Sequence, residues 1–337
     1  MNKVKVALVD TGIDINHDHL RHNIIGGISL VCDNDYIIVT DNYEDENGHG
    51  TSCASTIKKE FNDIGIFVVK ILGRDGRTSS QIFEESLKYL LNIDIRLINL
   101  SLSVITNEMI QDLYEICDEL YQQGKIIVCS LANGFEESYP AVFNNVIGVK
   151  GWILESENSF WYNKDKRIQC IMDNNPYMNF NINNSYKLFG KCNSQATAKL
   201  TGRIARILSN KPDITFEELN NELENLAARK DWEDKDFLSS KRYPNFKEGL
   251  YDNDNSILLN TVDVVKEVLK LNTSNYDIYK YSLFDRKIGL DNENCYDILK
   301  KLEERFDIKF DYLNISRYDF VSIQTLTDLV VENISHS

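Results

Sequence analysis

The sequence has no apolar run that approaches the roughly 18 residues needed to cross a bilayer. No charged segment followed by an apolar one, the pattern of a secretion signal, precedes Val4. The first predicted core strand, residues 3–9, instead begins within a few residues of Met1. We therefore expect a cytoplasmic protein with no membrane partner, although a chain trimmed at its N-terminus would look the same.

Cysteine pairs and excess positive charge are also missing. Seven cysteines, an odd number scattered over 337 residues, do not make a disulfide framework, and this use of cysteine is typical of a reducing compartment. Lys and Arg total 37 against 52 Asp and Glu, a formal net charge of -15. This balance argues against nucleic acid as a partner and weakly favours cationic peptides, but solubility alone is the simpler explanation.

Metal-ligand patterns are scarce as well. His17, His19 and His22 lie close together, yet no cysteine or carboxylate pattern completes the ligand set that zinc needs. No loop rich in Asp and Asn has the spacing of calcium ligands. The sequence therefore predicts no metal ion and no cofactor.

The chain does contain an alternation of strands and helices. The predicted helices span residues 51–59, 79–92 and 105–123. Residues 63–72 are predicted to form a loop and a buried strand, and further strands are predicted at residues 95–100 and 125–129. Thr215 and Glu218 predict a capping box at the start of a later helix. The alternation indicates an α/β fold with a parallel sheet and right-handed crossovers. Catalytic groups in such sheets gather at the carboxyl ends of the strands.

Residues 47–54 place an ionisable imidazole between two glycines where a helical pattern begins. His49 is the candidate general base, because a reference pKa of about 6.5 suits a side chain that takes and returns protons near neutrality. Gly48 and Gly50 allow a tight turn and close approach of a substrate. One histidine in a glycine-rich turn is more often structural, so this base needs an orienting acid and a nucleophile.

Asp10 and Ser194 are the candidates for these two roles. Asp10 follows the predicted strand at residues 3–9, at the edge where catalytic groups gather. Ser194 follows a glycine-bearing loop and begins a helical pattern. The free N–H groups and the dipole of a helix N-terminus favour the negative charge of a tetrahedral intermediate. All three candidate residues can therefore converge at one edge of the sheet.

The motifs in the order Asp, His, Ser are Asp10-Thr11-Gly12, His49-Gly50-Thr51 and Ser194-Gln195-Ala196. With them the sequence resembles the subtilisin-like serine peptidases, the subtilases, over about residues 1–225. Further landmarks of that family are residues 17–20, 98–103, 132–134, 139–141 and 146–149, and Gly202. The resemblance implies a peptidase domain over residues 1–235, with a subtilisin-like parallel sheet flanked by helices. It also implies a catalytic triad of Asp10, His49 and Ser194.

The same resemblance implies how a substrate is bound. The oxyanion is expected to be held by the side-chain amide of Asn133 and the backbone N–H of Ser194. The expected substrate-binding residues, which would pair with a peptide backbone or form the pocket walls, are Leu100, Ser101, Leu102, Ser103, Leu131 and Ala132. The expected substrate is therefore a peptide or a protein.

The chain departs from the family pattern around the nucleophile. Gln195 stands where the family has methionine, and Ala198 and Lys199 occupy the positions of a Pro-His pair. These departures bear on the rate more than on the type of reaction. Cys53 and Cys192 lie near the predicted base and nucleophile, either as thiols that reagents could block or as small, inert core residues.

After a linker at residues 236–254, the chain predicts a separate all-α domain at residues 255–337. Its predicted helices cover residues 258–271, 292–306, 317–322 and 325–331. Residues 288–292, Ile-Gly-Leu-Asp-Asn, resemble the acyl and peptidyl carrier proteins, a four-helix family in which a serine after the aspartate bears phosphopantetheine. Asn292 has no hydroxyl to modify, so the resemblance implies a carrier-like bundle that has lost carrier chemistry.

Such a bundle would be a docking module for a partner. The acidic residues of its second helix, which resemble the surface that carrier proteins offer to basic partners, are Asp297, Glu303 and Glu304. A generic helical appendage explains the same local patterns equally well.

These patterns favour an intracellular serine endopeptidase that processes a specific protein or precursor peptide recruited by its C-terminal domain. The main alternative is a catalytically weak or inactive scaffold that binds peptides in the same cleft. A working carrier protein is a third interpretation, which Asn292 disfavours.

Overall fold

The computed structural model describes residues 3–34, 36–105, 109–239, 241–242, 246, 255–272 and 275–335. The chain divides into two compact units. The first comprises residues 1–174, 180–184 and 190–242, and the second comprises residues 175–179, 185–189 and 243–337. Each unit has an apolar core of its own.

A large sheet forms the centre of the first unit. Its strands are β1 (Val4–Asp10), β2 (Ile24–Asp33), β3 (Tyr36–Thr40), β4 (Ile64–Lys70), β5 (Leu97–Leu100), β6 (Ile126–Ser130), β7 (Ile147–Trp152), β8 (Phe160–Tyr162) and β9 (Cys170–Asp173). Their order in the sheet is β3-β2-β4-β1-β5-β6-β7-β9-β8. In this spatial order, every neighbouring pair between β2 and β9 is parallel. The two edge strands are antiparallel to their neighbours, β3 to β2 and β8 to β9. The central strands are buried runs of Val, Ile and Leu, as expected when both faces of a parallel sheet are covered.

The helices of the first unit are α1 (His49–Glu60), α2 (Ser80–Leu91), α3 (Ile110–Gln122), α4 (Asn193–Asn210), α5 (Phe216–Leu226) and α6 (Asp234–Ser239). Local chemistry sets several of their starts: Ser79 caps α2, and Thr215 and Glu218 form the predicted capping box of α5. Helix α3 begins later than predicted, and residues 106–108 lie outside the described part of the chain. Within the described ranges, no helix is both long enough and apolar enough to cross a bilayer.

Helices α1 and α4 pack closely because residue 202 is glycine. A Cβ atom on Gly202 would lie 2.7 Å from the carbonyl oxygen of Ile57 and 2.5 Å from the Cβ of Glu60. Any side chain at this position would push the two helices apart. This packing therefore sets the separation of the two helices whose first turns carry His49 and Ser194.

A hairpin of β10 (Tyr177–Asn181) and β11 (Ser185–Phe189) precedes α4. Its tip belongs to the first unit. There the N–H of Phe180 donates to the hydroxyl of Ser55 at 3.0 Å, and its carbonyl accepts from the hydroxyl of Ser52 at 2.9 Å. Both serines lie on α1, so the hairpin tip is attached to the helix that begins at the predicted base.

The second unit is built from helices and from the rest of this hairpin. Its helices are α7 (Ser256–Leu269), α8 (Asn275–Lys280), α9 (Cys295–Phe306) and α10 (Ile323–Ile334), with 3₁₀ turns at Tyr312–Asn314 and Arg317–Phe320. Their shared core also includes Met178 and Leu188 of the hairpin. The N–H of Met178 donates to the carbonyl of Ile315 at 2.9 Å. Nothing in the sequence signalled this contribution, because the hairpin lies far from these helices along the chain.

One prediction for this unit is wrong. Glu303, expected on an exposed acidic face of α9, is buried, and its carboxylate accepts a hydrogen bond from the N–H of Phe310 at 2.9 Å. Its other oxygen lies 3.4 Å from the ammonium of Lys309. Glu303 therefore holds the chain that follows α9, and Asp297 and Glu304 are the members of the predicted acidic face that remain exposed.

Candidate active site

The end of β1 and the start of α1 bring two of the predicted site residues together. Nδ1 of His49 lies 2.7 Å from Oδ1 of Asp10. Asp10 is fully buried, and the same oxygen accepts the N–H of Thr11 at 2.7 Å. Gly50 permits the approach, because a Cβ atom there would lie 2.1 Å from the carbonyl oxygen of Gly12. Strand β1 lies between β4 and β5, where the order of strands reverses, which is the expected place for a site in such a sheet.

Asp45 shapes the turn that leads into α1, a role that the sequence motifs did not show. Its buried carboxylate accepts from the N–H groups of Asn47 and Gly48, both at 2.9 Å, and from the hydroxyl of Thr51 at 2.6 Å. The hydroxyl of Thr11 also donates to it, at 2.9 Å. Burial raises the pKa of Asp45, but these hydrogen bonds outweigh burial and hold the pKa below its usual range. No local pattern marks this residue among the many carboxylates of the chain.

The Asp10 carboxylate also sets the proton affinity of His49. Burial of the ring, whose side chain is 27% exposed, favours the neutral form and lowers the pKa. The charge of Asp10 and its hydrogen bond act in the opposite direction and prevail, so the pKa of His49 is raised well above its usual value. His49 is therefore a stronger base than a free imidazole.

Ser194 is the second residue of α4, which begins at Asn193. It is almost fully buried, and its hydroxyl donates to the carbonyl of Ser101 at 3.1 Å. Ser194 and His49 line the same cavity. The structure thus brings the predicted nucleophile and the predicted base to one cleft, with the nucleophile hydroxyl directed at a backbone carbonyl.

Asn193 connects the start of α4 to the predicted oxyanion residue. Its N–H donates to Oδ1 of Asn133 at 3.0 Å, and its side-chain amide donates to the carbonyl of Leu131 at 2.7 Å. Its side-chain oxygen accepts from the N–H of Gly151 at 2.8 Å. Because Oδ1 of Asn133 is occupied in this way, the amide orientation leaves its NH₂ group as the donor available to the cleft. Asn193 therefore links the start of α4 to the loop of Leu131 and Asn133 and to strand β7.

The cleft has a volume of about 620 Å³. The predicted substrate-binding residues that line it are Ser101, Leu102, Ser103, Leu131 and Ala132, together with Asn133. Leu100, also predicted to bind substrate, ends β5 with its side chain fully buried in the core. The loop after β4 contributes a wall that the sequence did not signal, through Gly76, Arg77 and Thr78.

Lys199 stands where the family pattern has a histidine, and it is buried in α4. Its ammonium donates to the carbonyl of Glu157 at 2.9 Å and lies 3.6 Å from the fully buried carboxylate of Asp173. Arg242 pairs with the same carboxylate at 3.1 Å. Burial lowers the pKa of Lys199. Two cations, Lys199 and Arg242, therefore neutralise the buried carboxylate of Asp173 beside α4.

Asp10, His49 and Cys53 are the one group among the described residues whose ligand atoms are close enough to share a metal ion, all within 4.8 Å of one another. This donor set fits a metal poorly. Asp10 and His49 already share a hydrogen bond, and burial raises the pKa of Cys53 to about 11, so its thiol stays protonated. Burial also raises the pKa of Cys192. The raised pKa values favour the inert interpretation of both cysteines.

The histidines near the N-terminus have a packing role. The ring of His17, which is fully buried, lies 4.5 Å from the ring of Phe180, and the ring of His19 stacks on Phe180 at 5.5 Å. They hold the N-terminal loop against the hairpin tip.

Comparison with known proteins identifies the family of the chain. A sequence profile of the Subtilase family matches residues 1–249, well over half of the chain. The chain is 30% identical over 226 residues to the major intracellular serine protease of Bacillus subtilis (strain 168). The aligned region covers 61% of this chain and 68% of that protein. It is 26% identical over 220 residues to the intracellular serine protease of Paenibacillus polymyxa, and this aligned region covers 60% of the chain and 66% of that protein.

Among solved structures, a cold-adapted subtilisin-like serine proteinase superposes with a TM-score of 0.56 at 18% identity, over 66% of this chain and 81% of the other. That similarity shows a subtilisin-like α/β fold. Together with the match of the family profile, it establishes that the chain belongs to the Subtilase family.

Proposed function

We propose that this protein is a serine endopeptidase that hydrolyses peptide bonds through Asp10, His49 and Ser194. The observation that carries the proposal is the 2.7 Å contact between His49 and Asp10, beside a cleft that Ser194 and Asn133 also line. The names of the relatives, two of them intracellular serine proteases, support the same class of reaction.

In this mechanism Ser194 attacks the scissile carbonyl carbon, and His49 takes the hydroxyl proton and passes it to the leaving amine. The Ser194 hydroxyl is bonded to the Ser101 carbonyl in the free protein, so it must turn toward His49 before attack. Since Asp10 is bonded to Nδ1 of His49, Nε2 is the atom that exchanges the proton. Asp10 also stabilises the imidazolium that forms, in keeping with the raised pKa of His49.

The negative charge that develops on the substrate oxygen would be held by two donors, the side-chain NH₂ of Asn133 and the backbone N–H of Ser194. The Asn193 bond to Asn133 supports this role, because it fixes the amide before substrate arrives. The N-terminus of α4 adds the favourable end of its dipole.

The substrate would lie extended along the cleft. Ser101, Leu102 and Ser103 follow β5, and no strand of the described residues pairs with them, so their backbone N–H groups can pair with a peptide. Leu131 and Ala132 then wall the pocket for a substrate side chain.

A catalytically weak or inactive peptide-binding scaffold is the second candidate. Two observations favour it. The hydroxyl of Ser194 is bonded to the Ser101 carbonyl, and Lys199, at a position where the family pattern has histidine, pairs with Asp173. The same cleft would then bind peptides without cutting them.

We further propose that the C-terminal unit recruits a specific protein or precursor peptide for cleavage in the cytoplasm. A tethered docking module raises the local concentration of substrate without changing the chemical step. Asn292 lies just before α9, where the carrier resemblance places the modified serine, and its side-chain oxygen accepts from Arg317 at 3.2 Å. The exposed Asp297 and Glu304 remain available to a basic partner.

The nucleophile and the base are tested by removing them one at a time. Ser194→Ala and His49→Ala should each lower kcat by about 10⁶-fold, the size seen for the corresponding groups of subtilisin, with folding intact. Labelling by a fluorophosphonate probe should be lost in Ser194→Ala. Ser209→Ala, at the exposed end of the same helix, is the matched control and should behave as wild type. Wild-type protein that neither labels nor cleaves peptides would instead identify a scaffold.

The oxyanion assignment predicts that Asn133→Ala lowers kcat by about 10²–10³-fold with little change in KM. Asn133→Asp distinguishes the two hydrogen-bonding roles of this side chain. The variant keeps an oxygen that accepts from the N–H of Asn193, but it loses the NH₂ group that would donate to the oxyanion. Steady-state kinetics should show a kcat loss in both variants. A change confined to KM would mean that Asn133 only binds substrate.

The Asp10 contact predicts the pH dependence. The value of kcat/KM should rise with pH as His49 loses its proton, with a midpoint above about 6.5, and Asp10→Asn should move the midpoint down and slow turnover about 10⁴-fold. The same contact stabilises the fold below the pKa of an unfolded histidine, and this contribution is lost as pH rises through the raised folded pKa. A wild-type midpoint below 6.5 would contradict the assignment.

The carrier resemblance predicts different outcomes for two forms of one residue. Wild-type protein should gain no mass on incubation with coenzyme A and a phosphopantetheinyl transferase, because Asn292 has no hydroxyl. Asn292→Ser should gain one phosphopantetheine group if the unit has the carrier shape. Intact-protein mass spectrometry measures both, and an unmodified Asn292→Ser variant would favour the generic helical appendage.

A further inference from the structure

The loop after β4 forms one wall of the cleft, and hydrogen bonds fix its position. The N–H of Gly73 donates to the carbonyl of Arg77 at 3.1 Å, and the carboxylate of Asp75 accepts the N–H of Arg77 at 3.2 Å. The side-chain amide of Asn47 donates to the carbonyl of Arg74 at 2.8 Å, which ties the loop to the turn that precedes the general base. The backbone of Arg77 is therefore fixed within a loop that is itself hydrogen-bonded to the turn before α1.

Arg77 is the one permanent charge among the described residues that line the cleft. Apart from His49, the other described lining residues carry hydroxyl, amide or apolar side chains or are glycine. Arg77 is exposed, and it takes part in none of the ion pairs of the described residues. A guanidinium stays charged at all physiological pH values, so this wall presents to a bound peptide a positive charge that is in no ion pair of the described residues.

The charge of this wall is opposite to the charge of the whole chain. The net charge of -15 would weakly attract cationic peptides from a distance, but such attraction is screened beyond about 8–10 Å at physiological salt. Within the cleft, contacts at hydrogen-bond distance decide which side chain is accepted. The guanidinium of Arg77 can form two parallel hydrogen bonds with the carboxylate of a substrate side chain. A lysine or a neutral side chain of the substrate does not offer the same pair of charged acceptors.

We propose that Arg77 makes the enzyme select peptides that carry aspartate or glutamate where the extended substrate passes the loop of residues 73–77. The inference rests on the proposed peptidase function and names the substrate feature that this site prefers. One substrate position, and not the whole peptide, should carry the preference, because a single arginine supplies it.

The test is a peptide library in which each position in turn is Asp, Glu, Asn, Gln or Lys. Wild-type protein should cleave peptides with Asp or Glu at one position about tenfold better in kcat/KM than their amide counterparts. Arg77→Gln should lose this preference, and Arg77→Glu should reverse it in favour of Lys. Arg74→Gln is the matched control, because it removes an arginine of the same loop that does not line the cleft. It should keep the wild-type preference.

Salt supplies an independent readout, since raising NaCl to about 1 M should shrink the preference of the wild type and leave Arg77→Gln unchanged. An acidic preference that persists in Arg77→Glu, or a wild type that cleaves peptides with no charge preference at any position, would overturn the inference and leave the peptidase function standing. If wild type and Arg74→Gln neither label with a fluorophosphonate nor cleave any peptide, the proposed function fails and this inference fails with it.

Discussion

The hydrogen bond between Asp10 and His49 joins a strand end to a helix start, and the rest of the candidate site is arranged around it. Asp10 is fully buried at the end of β1, so its charge acts at short range in a poorly solvated place. The glycine at residue 50 lets the helix approach that closely, and the Asp45 network holds the turn. This contact fixes the orientation of the ring, and the charge of Asp10 is the largest of the effects that raise the pKa of His49.

The nucleophile side depends on a second set of contacts, made by helix α4. Gly202 lets α4 pack tightly on α1, and Asn193 links its start to the loop of Asn133. These contacts place Ser194 in the cleft that His49 lines. Asn193 also anchors the start of α4, because its side chain donates to the carbonyl of Leu131 and accepts from the N–H of Gly151.

Charge acts differently at long and short range in this protein. The net charge weakly favours cationic peptides and is explained more simply by solubility, whereas we propose acidic substrates from Arg77 in the cleft, because contacts at short range outweigh a screened net charge. In the C-terminal unit, too, the number of acidic residues does not show which of them are exposed. Glu303 was expected to add to an acidic surface, yet it is buried and accepts from the N–H of Phe310, so it supports the fold.

The sequence by itself determined the alternation of strands and helices, the capping box at Thr215, and the order of the motifs at Asp10, His49 and Ser194. These features are local, since side-chain periodicity, helix caps and short motifs involve residues a few positions apart. Only the tertiary structure decided which residues share a site. Four features depend on contacts between distant segments of the chain. They are the hydrogen bonds of Asp45, the link made by Asn193, the position of Arg77 in the cleft wall, and the packing of Met178 and Leu188 of the hairpin in the core of the second unit. No local pattern records such contacts, because they form only when the sheet brings those segments together.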